Sequence, residues 1–312
     1  MEESEIILNQ EIPMNGILSK KYNCMGIRVC YLILVIVSFT GCTNKEKVTY
    51  HTNGNVKIRV PLKDSKYEGT LREYNEDGSL KSKYEYSNWK RQGISVHFYE
   101  HGYKFSKSEI SWDDDKAVYQ KNFNQDSILV SEGGLLKYNF KIGTWKFYGK
   151  NGRINEKQEF INIDGEPYLN QNWKYNQKGD TIGGNYYKVK TTFSKDDLVR
   201  VHFFLAQPLI SYESELYVCL PKGKGLKNDF SNEEHYNWDT IYNLEKRFKS
   251  QGKFMNANHD VVFDLELKDS IDKNLKGFLL EKSNEVLDTV DFITRKIYFD
   301  LPLKDSYLDK KQ

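Results

Sequence analysis

Four cysteines, Cys24, Cys30, Cys42 and Cys219, are the side chains of this 312-residue chain best suited to covalent chemistry. A thiolate can act as a nucleophile, a metal ligand or an acceptor of acyl and alkyl groups. Cys24 and Cys30 belong to an N-terminal stretch with the pattern of a removable leader, which leaves Cys42 and Cys219 and excludes a disulfide scaffold. Cys219 lies in the apolar stretch Ser214-ELYVCL without a partner nearby in sequence, so it reads as a small buried hydrophobe. Other chemistry is sparse. His97, His101, His202, His235 and His259 nominate no metal site, and His202 alternates with Phe203 inside a strand-like run. Asp113-Asp114-Asp115 offers oxygens to a cation, but consecutive carboxylates lack the spaced ligands and the glycine of a calcium loop, so a solvated turn is expected. Gly223-Lys-Gly225 follows a strand yet lacks the remaining phosphate-loop positions, and no Gly-x-Ser-x-Gly occurs. The expectation is a non-catalytic protein with no cofactor and no metal.

The elements that must carry these residues begin with the leader. Val29 to Thr40 reads VCYLILVIVSFT, preceded by Lys20, Lys21 and Arg28 and followed by Gly41-Cys42 and the polar TNKEK. That is a positive n-region, an apolar h-region and a small-residue cleavage site. The run is shorter than the ~20 residues a bilayer span needs. Phe39-Thr40-Gly41-Cys42 resembles the lipobox of bacterial lipoproteins, in which the peptidase cuts before a cysteine whose thiol has received a diacylglycerol. Gly41 and Cys42 match the two sides of the cut, and Phe39 stands where leucine is usual. The resemblance implies a leader over 1–41, lipid on Cys42, a tether over 42–47, and a place in the cell envelope, the outer membrane being preferred. Residues 1–13 are acidic and fit no signal peptide, so Met14 or Met25 is read as the start.

Composition bounds the rest. The chain is 38% hydrophobic and 14% aromatic, enough for packed cores, and its 22 tyrosines against 6 prolines suit exposed sheet. Lysine and arginine number 46 against 44 acids, a net charge of +2, too balanced for field-driven binding of nucleic acid.

Between Tyr50 and Gly179 an aromatic, three residues and a glycine recur: Tyr50-HTN-Gly54, Tyr74-NED-Gly78, Phe98-YEH-Gly102, Phe123-NQD-Ser127, Tyr148-GKN-Gly152 and Tyr175-NQK-Gly179. The steps between markers are 24, 24, 25, 25 and 27 residues, which signals a stack of repeats whose units bury their apolar faces against one another. Within a unit, Leu71 and Glu73, then Leu80, Ser82, Tyr84 and Tyr86, alternate around Asn75-Glu-Asp-Gly78, a hairpin of period two with a strong turn signal. A second glycine leads the turn glycine by nine residues at Gly69, Gly93 and Gly143. At equal phase, Tyr74, Phe98 and Tyr148 are expected to ladder along one sheet face.

These units resemble the MORN-repeat variant family, written roughly Gly-x-x-x-x-Tyr-x-x-x-Gly. Gly143-TWKFYGKN-Gly152 is the nearest copy, while Ser127 replaces a turn glycine and Asn170 stands where the last copy should carry its leading glycine. Members of the family include bacterial lipoproteins and antitoxin-like proteins. The resemblance implies a repeat sheet over 48–190 that binds or assembles with a partner, an envelope protein or a glycan, and as an alternative an antitoxin-like or immunity module. Tyr74, Phe98, Tyr148, Trp145 and Trp173 are the aromatics expected to contact it, because ring faces stack on sugars and peptide edges. A hydrolase assembled from distant groups, with His202 or His259 in it, is the remaining alternative.

After Lys190 the markers stop. Leu198-VRVHFFLA, Ser214-ELYVCL, Asp260-VVFDLEL, Lys276-GFLLE and Val290-DFITRKIYFDL read as strands, and Trp238-DTIYNLEKRFKS as a helix. Residues 191–312 are therefore expected to form a β-sandwich of immunoglobulin-like type, completing an all-β fold.

Overall fold

The computed structural model describes residues 6–7, 45–99, 107–136, 140–193, 198–210, 213–249, 251–252, 257–266, 274–283 and 293–303. Gly41, Cys42, the apolar run before them and Gly102 lie outside these residues. The chain is almost entirely antiparallel β and divides into two compact units, Met1–Ser127 and Ile128–Gln312.

The first unit is a meander. Its strands are β1 (Ile6–Ile7), β2 (Lys45–Tyr50), β3 (Val56–Lys63), β4 (Lys66–Tyr67), β5 (Gly69–Tyr74), β6 (Leu80–Ser87), β7 (Lys90–Phe98), β8 (Lys107–Asp113) and β9 (Lys116–Phe123). Apart from the two-residue β4, which pairs only with β3, each strand lies beside its neighbour in sequence. In the second unit β10 (Leu129–Leu136), β11 (Phe140–Tyr148), β12 (Ile154–Ile163), β13 (Glu166–Tyr175) and β14 (Thr181–Gly183) continue in the same manner.

Two turn types alternate, and their chemistry accounts for the repeat. The marker motif builds the longer one. At Asn75–Gly78 the Gly78 N–H donates to Asn75 O at 3.0 Å and the Asn75 N–H to Ser79 O at 2.9 Å, and Gly78 sits at φ 84°. Gly54, Gly152 and Gly179 repeat the arrangement with φ of 87°, 72° and 92°. The register slips by one residue as each marker tyrosine pairs across its turn, for example between Glu73 and Tyr74. This is a type I turn closed by a left-handed residue and a bulge. Ser127, the departure from the motif, takes the same left-handed conformation at φ 58° and makes the same bond to Asn124 O at 3.0 Å.

The shorter turn has two central residues, both with positive φ: Asp64-Ser65, Asn88-Trp89, Asp114-Asp115 and Asp164-Gly165. These are the primed turns whose twist matches that of the strands, and after glycine Asn and Asp tolerate them best. The Asp113–Asp115 run is such a turn, with Lys90 bonded to Asp114 at 2.5 Å and Arg91 3.3 Å from Asp115.

The rest of the second unit is a seven-stranded sandwich. β15 (Tyr187–Phe193), β16 (Leu198–Leu205) and β19 (Asp260–Glu266) form one sheet; β18 (Trp238–Tyr242), β17 (Glu215–Pro221), β20 (Asn274–Lys282) and β21 (Thr294–Pro302) form the other. The order is immunoglobulin-like, with the fourth strand paired to the third rather than to the fifth. Val199, Val201, Phe203 and Leu205 alternate inward along β16 and meet Val218, Leu279, Ile297 and Phe299 of the opposite sheet. Phe203 and Phe299 have ring centroids 4.7 Å apart.

Two expectations are corrected. The predicted helix over Trp238–Ser250 is half strand: Trp238–Tyr242 pairs with β17, and only α1 (Leu244–Lys249) is helical. The switch is made by Asn243, whose Oδ1 accepts the Lys246 N–H at 2.7 Å as an N-cap. The five predicted sandwich strands omitted β15, whose exposed run Lys188–Thr192 lacks the apolar alternation of its partners.

Candidate functional site

One face of the first unit gathers side chains that can hold a ligand. Cross-strand partners share a face, so the register Thr49↔Ile58↔Glu73↔Ser82↔His97↔Ser108↔Asn122 places seven residues in a row across seven strands. Thr49, Ser82, Ser108 and Asn122 are buried; the last three are hydrogen-bonded within the row, while the Thr49 hydroxyl has no partner among the described residues. Ser82 Oγ donates to Glu73 Oε2 at 2.7 Å, Lys81 Nζ reaches Glu73 Oε1 at 2.8 Å, and Ser108 Oγ donates to Asn122 Oδ1. Burial works to raise the Glu73 carboxyl, but the bonds from Lys81 and Ser82 and the charge of Lys81 outweigh it and hold the group below its usual range. Burial pushes the His97 imidazole below its ordinary value, with Arg91 and Lys81 adding to the effect against the pull of Glu73.

Beside this row lies an aromatic strip. Tyr67 and Trp89 have centroids 4.2 Å apart; Tyr67 meets Tyr86 edge-on at 5.5 Å, and Tyr84 meets His97 edge-on at 5.1 Å. The Arg91 guanidinium lies 4.3 Å over Trp112 and 5.8 Å from the Tyr84 ring centre. Trp112 is fixed from below by its Nε1–H, which donates to Ser95 Oγ at 2.7 Å. Trp89 is 49% exposed, because its place in a two-residue turn with φ 72° lifts the indole off the strand. The strip thus offers ring faces, one cation and hydrogen-bonding edges, the requirements for stacking on a flat ligand with fixed direction.

The predicted contact aromatics are distributed differently. Phe98 is exposed at 41% and stands with Tyr99 over the Asn75–Ser79 turn, lining a notch of about 460 Å³. The Tyr74 carbonyl accepts from His51 Nε2 at 2.9 Å, which ties one marker turn to the next repeat. In the second unit the Tyr148 hydroxyl donates to Glu132 at 2.6 Å, and Trp173 lies 5.8 Å from Tyr186. Trp145 is corrected: at 1% exposure its indole lies flat on Gly133, where an added Cβ would come within 2.4 Å of the ring, and its Nε1–H donates to Gly134 O at 2.8 Å. Its faces are closed by the sheet itself. Tyr84 and Tyr86 were visible in sequence as alternating residues of a repeat. Tyr67 and Arg91 were not singled out, since nothing local sets them apart.

The polar groups of the sandwich make separate pairs. His202 Nε2 lies 2.7 Å from Asp260 Oδ1. Ser214 Oγ donates to Glu281 Oε1 at 2.9 Å and lies 3.0 Å from His259 Nε2, while the Leu209 and Ile210 N–H groups also donate to Glu281. With its proton on Glu281, Ser214 accepts from His259 rather than being activated by it, and both Ser214 and Glu281 are wholly buried. The set clamps Leu209, Ile210 and Ser214 against β20. Cys219 is buried beside Phe230, Phe278 and Tyr298, and burial pushes its thiol up to about 11, the state of an inert core residue. Among the described residues no three His, Cys, Asp or Glu side chains gather as a metal site.

No protein-family model matches this chain, and no curated protein matches it.

Proposed function

We propose that this chain is a non-catalytic binding or assembly scaffold of a bacterial envelope, lipid-anchored through Cys42 and engaging an envelope protein or glycan through its repeat sheet. The observation that carries the reading is the strip Tyr67, Trp89, Tyr86 and Tyr84 with Arg91 over Trp112, half-open rings on one face of a single-layer sheet. Rings needed only to cover such a sheet would lie as Trp145 does, closed and out of water; Trp89 instead stands half exposed. The lipobox-like Gly41-Cys42 and the MORN-variant form of the repeats supply the location and the expectation of a partner.

Two measurements test it. The N-terminal peptide of the protein made in a bacterium with an intact lipoprotein pathway should have the mass of a chain beginning at Cys42 and carrying diacylglycerol. Binding to isolated envelope material should be saturable, and Trp89→Ala should weaken it roughly tenfold, the scale of one lost aromatic stack. Digesting the glycan or the protein of that material beforehand separates the two partner classes. An unprocessed leader removes the anchor from the proposal, and unchanged binding by Trp89→Ala removes the strip.

A further inference from the structure

A second site lies in the other unit, where β12 and β13 pack against the sandwich. A cleft of about 650 Å³ opens between Ile142 and Phe160 on one side and Tyr187 and Phe299 on the other, within the size range of ligand pockets. Its walls are apolar and aromatic, and its charged groups are all carboxylates, Glu159, Asp229 and Asp300, set among Asn amides and Tyr hydroxyls. Glu159 enters it with Oε2 held by Asn170 Nδ2 and Gln171 Nε2, each at 2.8 Å. Asp229 sits on the rim, its Oδ1 accepting the Ser231 N–H at 3.2 Å. Neither carboxylate appears in an ion pair among the described residues, in contrast to Asp300, which faces Lys276 at 3.1 Å. Asn162, also on the lining, has a shielded Oδ1 with no donor. Lys227 bears on Asp229 and Lys276 holds Asn228 and Asp300, but Glu159 makes no ion pair among the described residues, and a carboxylate so placed beside apolar walls favours a ligand that brings a cation.

The backbone of β21 says more about that ligand. β21 is an edge strand, paired only with β20. Its unpaired side is partly sealed by the hairpin: Asn170 accepts the Tyr298 N–H at 2.7 Å and donates to Tyr298 O at 2.9 Å, and the Tyr168 hydroxyl donates to Lys296 O at 2.7 Å. Outward-pointing backbone groups alternate along an antiparallel strand, so the next position that presents N–H and C=O together is Asp300, on the cleft wall. Pro302 follows with no N–H and ends the open edge.

We propose that this cleft binds a short extended peptide segment carrying a lysine or arginine. The segment adds to β21 at Asp300 through its backbone and places its cationic side chain between Glu159 and Asp229, with apolar neighbours against Phe160 and Phe299. Edge addition supplies the backbone bonds, and the Glu159 and Asp229 carboxylates supply the choice of side chain. The site does not depend on the aromatic strip of the first unit.

The test is fluorescence anisotropy of the full chain with a labelled hexapeptide of alternating valine and lysine. Three comparators are a valine–glutamate hexapeptide, the lysine peptide N-methylated at alternate amides, and free glucosamine as a competitor. Saturable binding is expected, at least tenfold weaker for the glutamate and the N-methylated peptides. Asp229→Asn, on the exposed rim, should weaken it about tenfold without touching the core, and Glu159→Gln by a similar factor. Absence of saturation, equal binding of either peptide comparator, indifference to both substitutions, or full displacement by glucosamine at concentrations matched to the peptide would overturn the proposal.

Discussion

At the residue scale the repeat turns on one backbone conformation. Gly78, Gly152 and Gly179 have open space around a would-be Cβ, so only their left-handed φ demands glycine. Gly78→Ala should therefore destabilise the first unit by about 1–2 kcal/mol through backbone strain alone. Ser127 already bears that strain at φ 58°, and Ser127→Gly should raise the urea midpoint by the equivalent of about 1 kcal/mol. Equal midpoints for the two parent and variant pairs would show that the turns are not held as described. His97 supplies a pH dependence. Its folded value lies below the unfolded 6.5, so the unfolded chain takes up the proton first as pH falls. Stability of the first unit should be intact above 6.5 and decline as pH drops through that value toward the folded one. Urea midpoints between pH 7.5 and 5 measure the decline, and His97→Gln should flatten it.

At the element scale each β-hairpin is locally encoded, but the two faces of the sheet differ. Arg59, Arg72 and Lys83 are successive cross-strand partners on the face opposite the polar row, and all three are exposed. Like charges directly opposite one another are unfavourable. Arg72→Glu, placing an acid between two bases, should stabilise by about 0.5–1 kcal/mol, read as a rise in Tm of a few degrees at low salt that shrinks at high salt. A fall in Tm would mean that Arg72 has a stabilising role absent from this geometry. Hairpin positions were legible in sequence because turn chemistry is local. The split of Trp238–Lys249 into β18 and α1 was not, since both halves satisfy a helical pattern until β17 claims the first through its open edge.

At the scale of the whole molecule, the most informative departure from the repeat pattern is Asn170. It stands where a leading glycine was expected, and its buried amide pairs with both backbone groups of Tyr298, acting as one residue of a strand laid along β21. Arg295 crosses in the other direction to Leu169 O, Asn170 O and Asn185 Oδ1. Asn170→Ala leaves a buried donor and acceptor on Tyr298 unpaired and should cost about 2–3 kcal/mol, with the lost protection visible as faster amide exchange at Tyr298. Unchanged exchange there would show that the clamp is not formed. The sequence by itself determined the all-β class, the period, the turns that carry it and most strands of the sandwich, because these follow from alternation and from φ preferences within a few residues. Only the tertiary structure decided which aromatics are open, which acids lack a cation and which odd residue docks the sandwich. The docking residue depends on a partner far away in the chain, as Asn170 is from Tyr298, and the openness of the rings on which neighbouring strands cover them, as Gly133 covers Trp145, and no local preference records either.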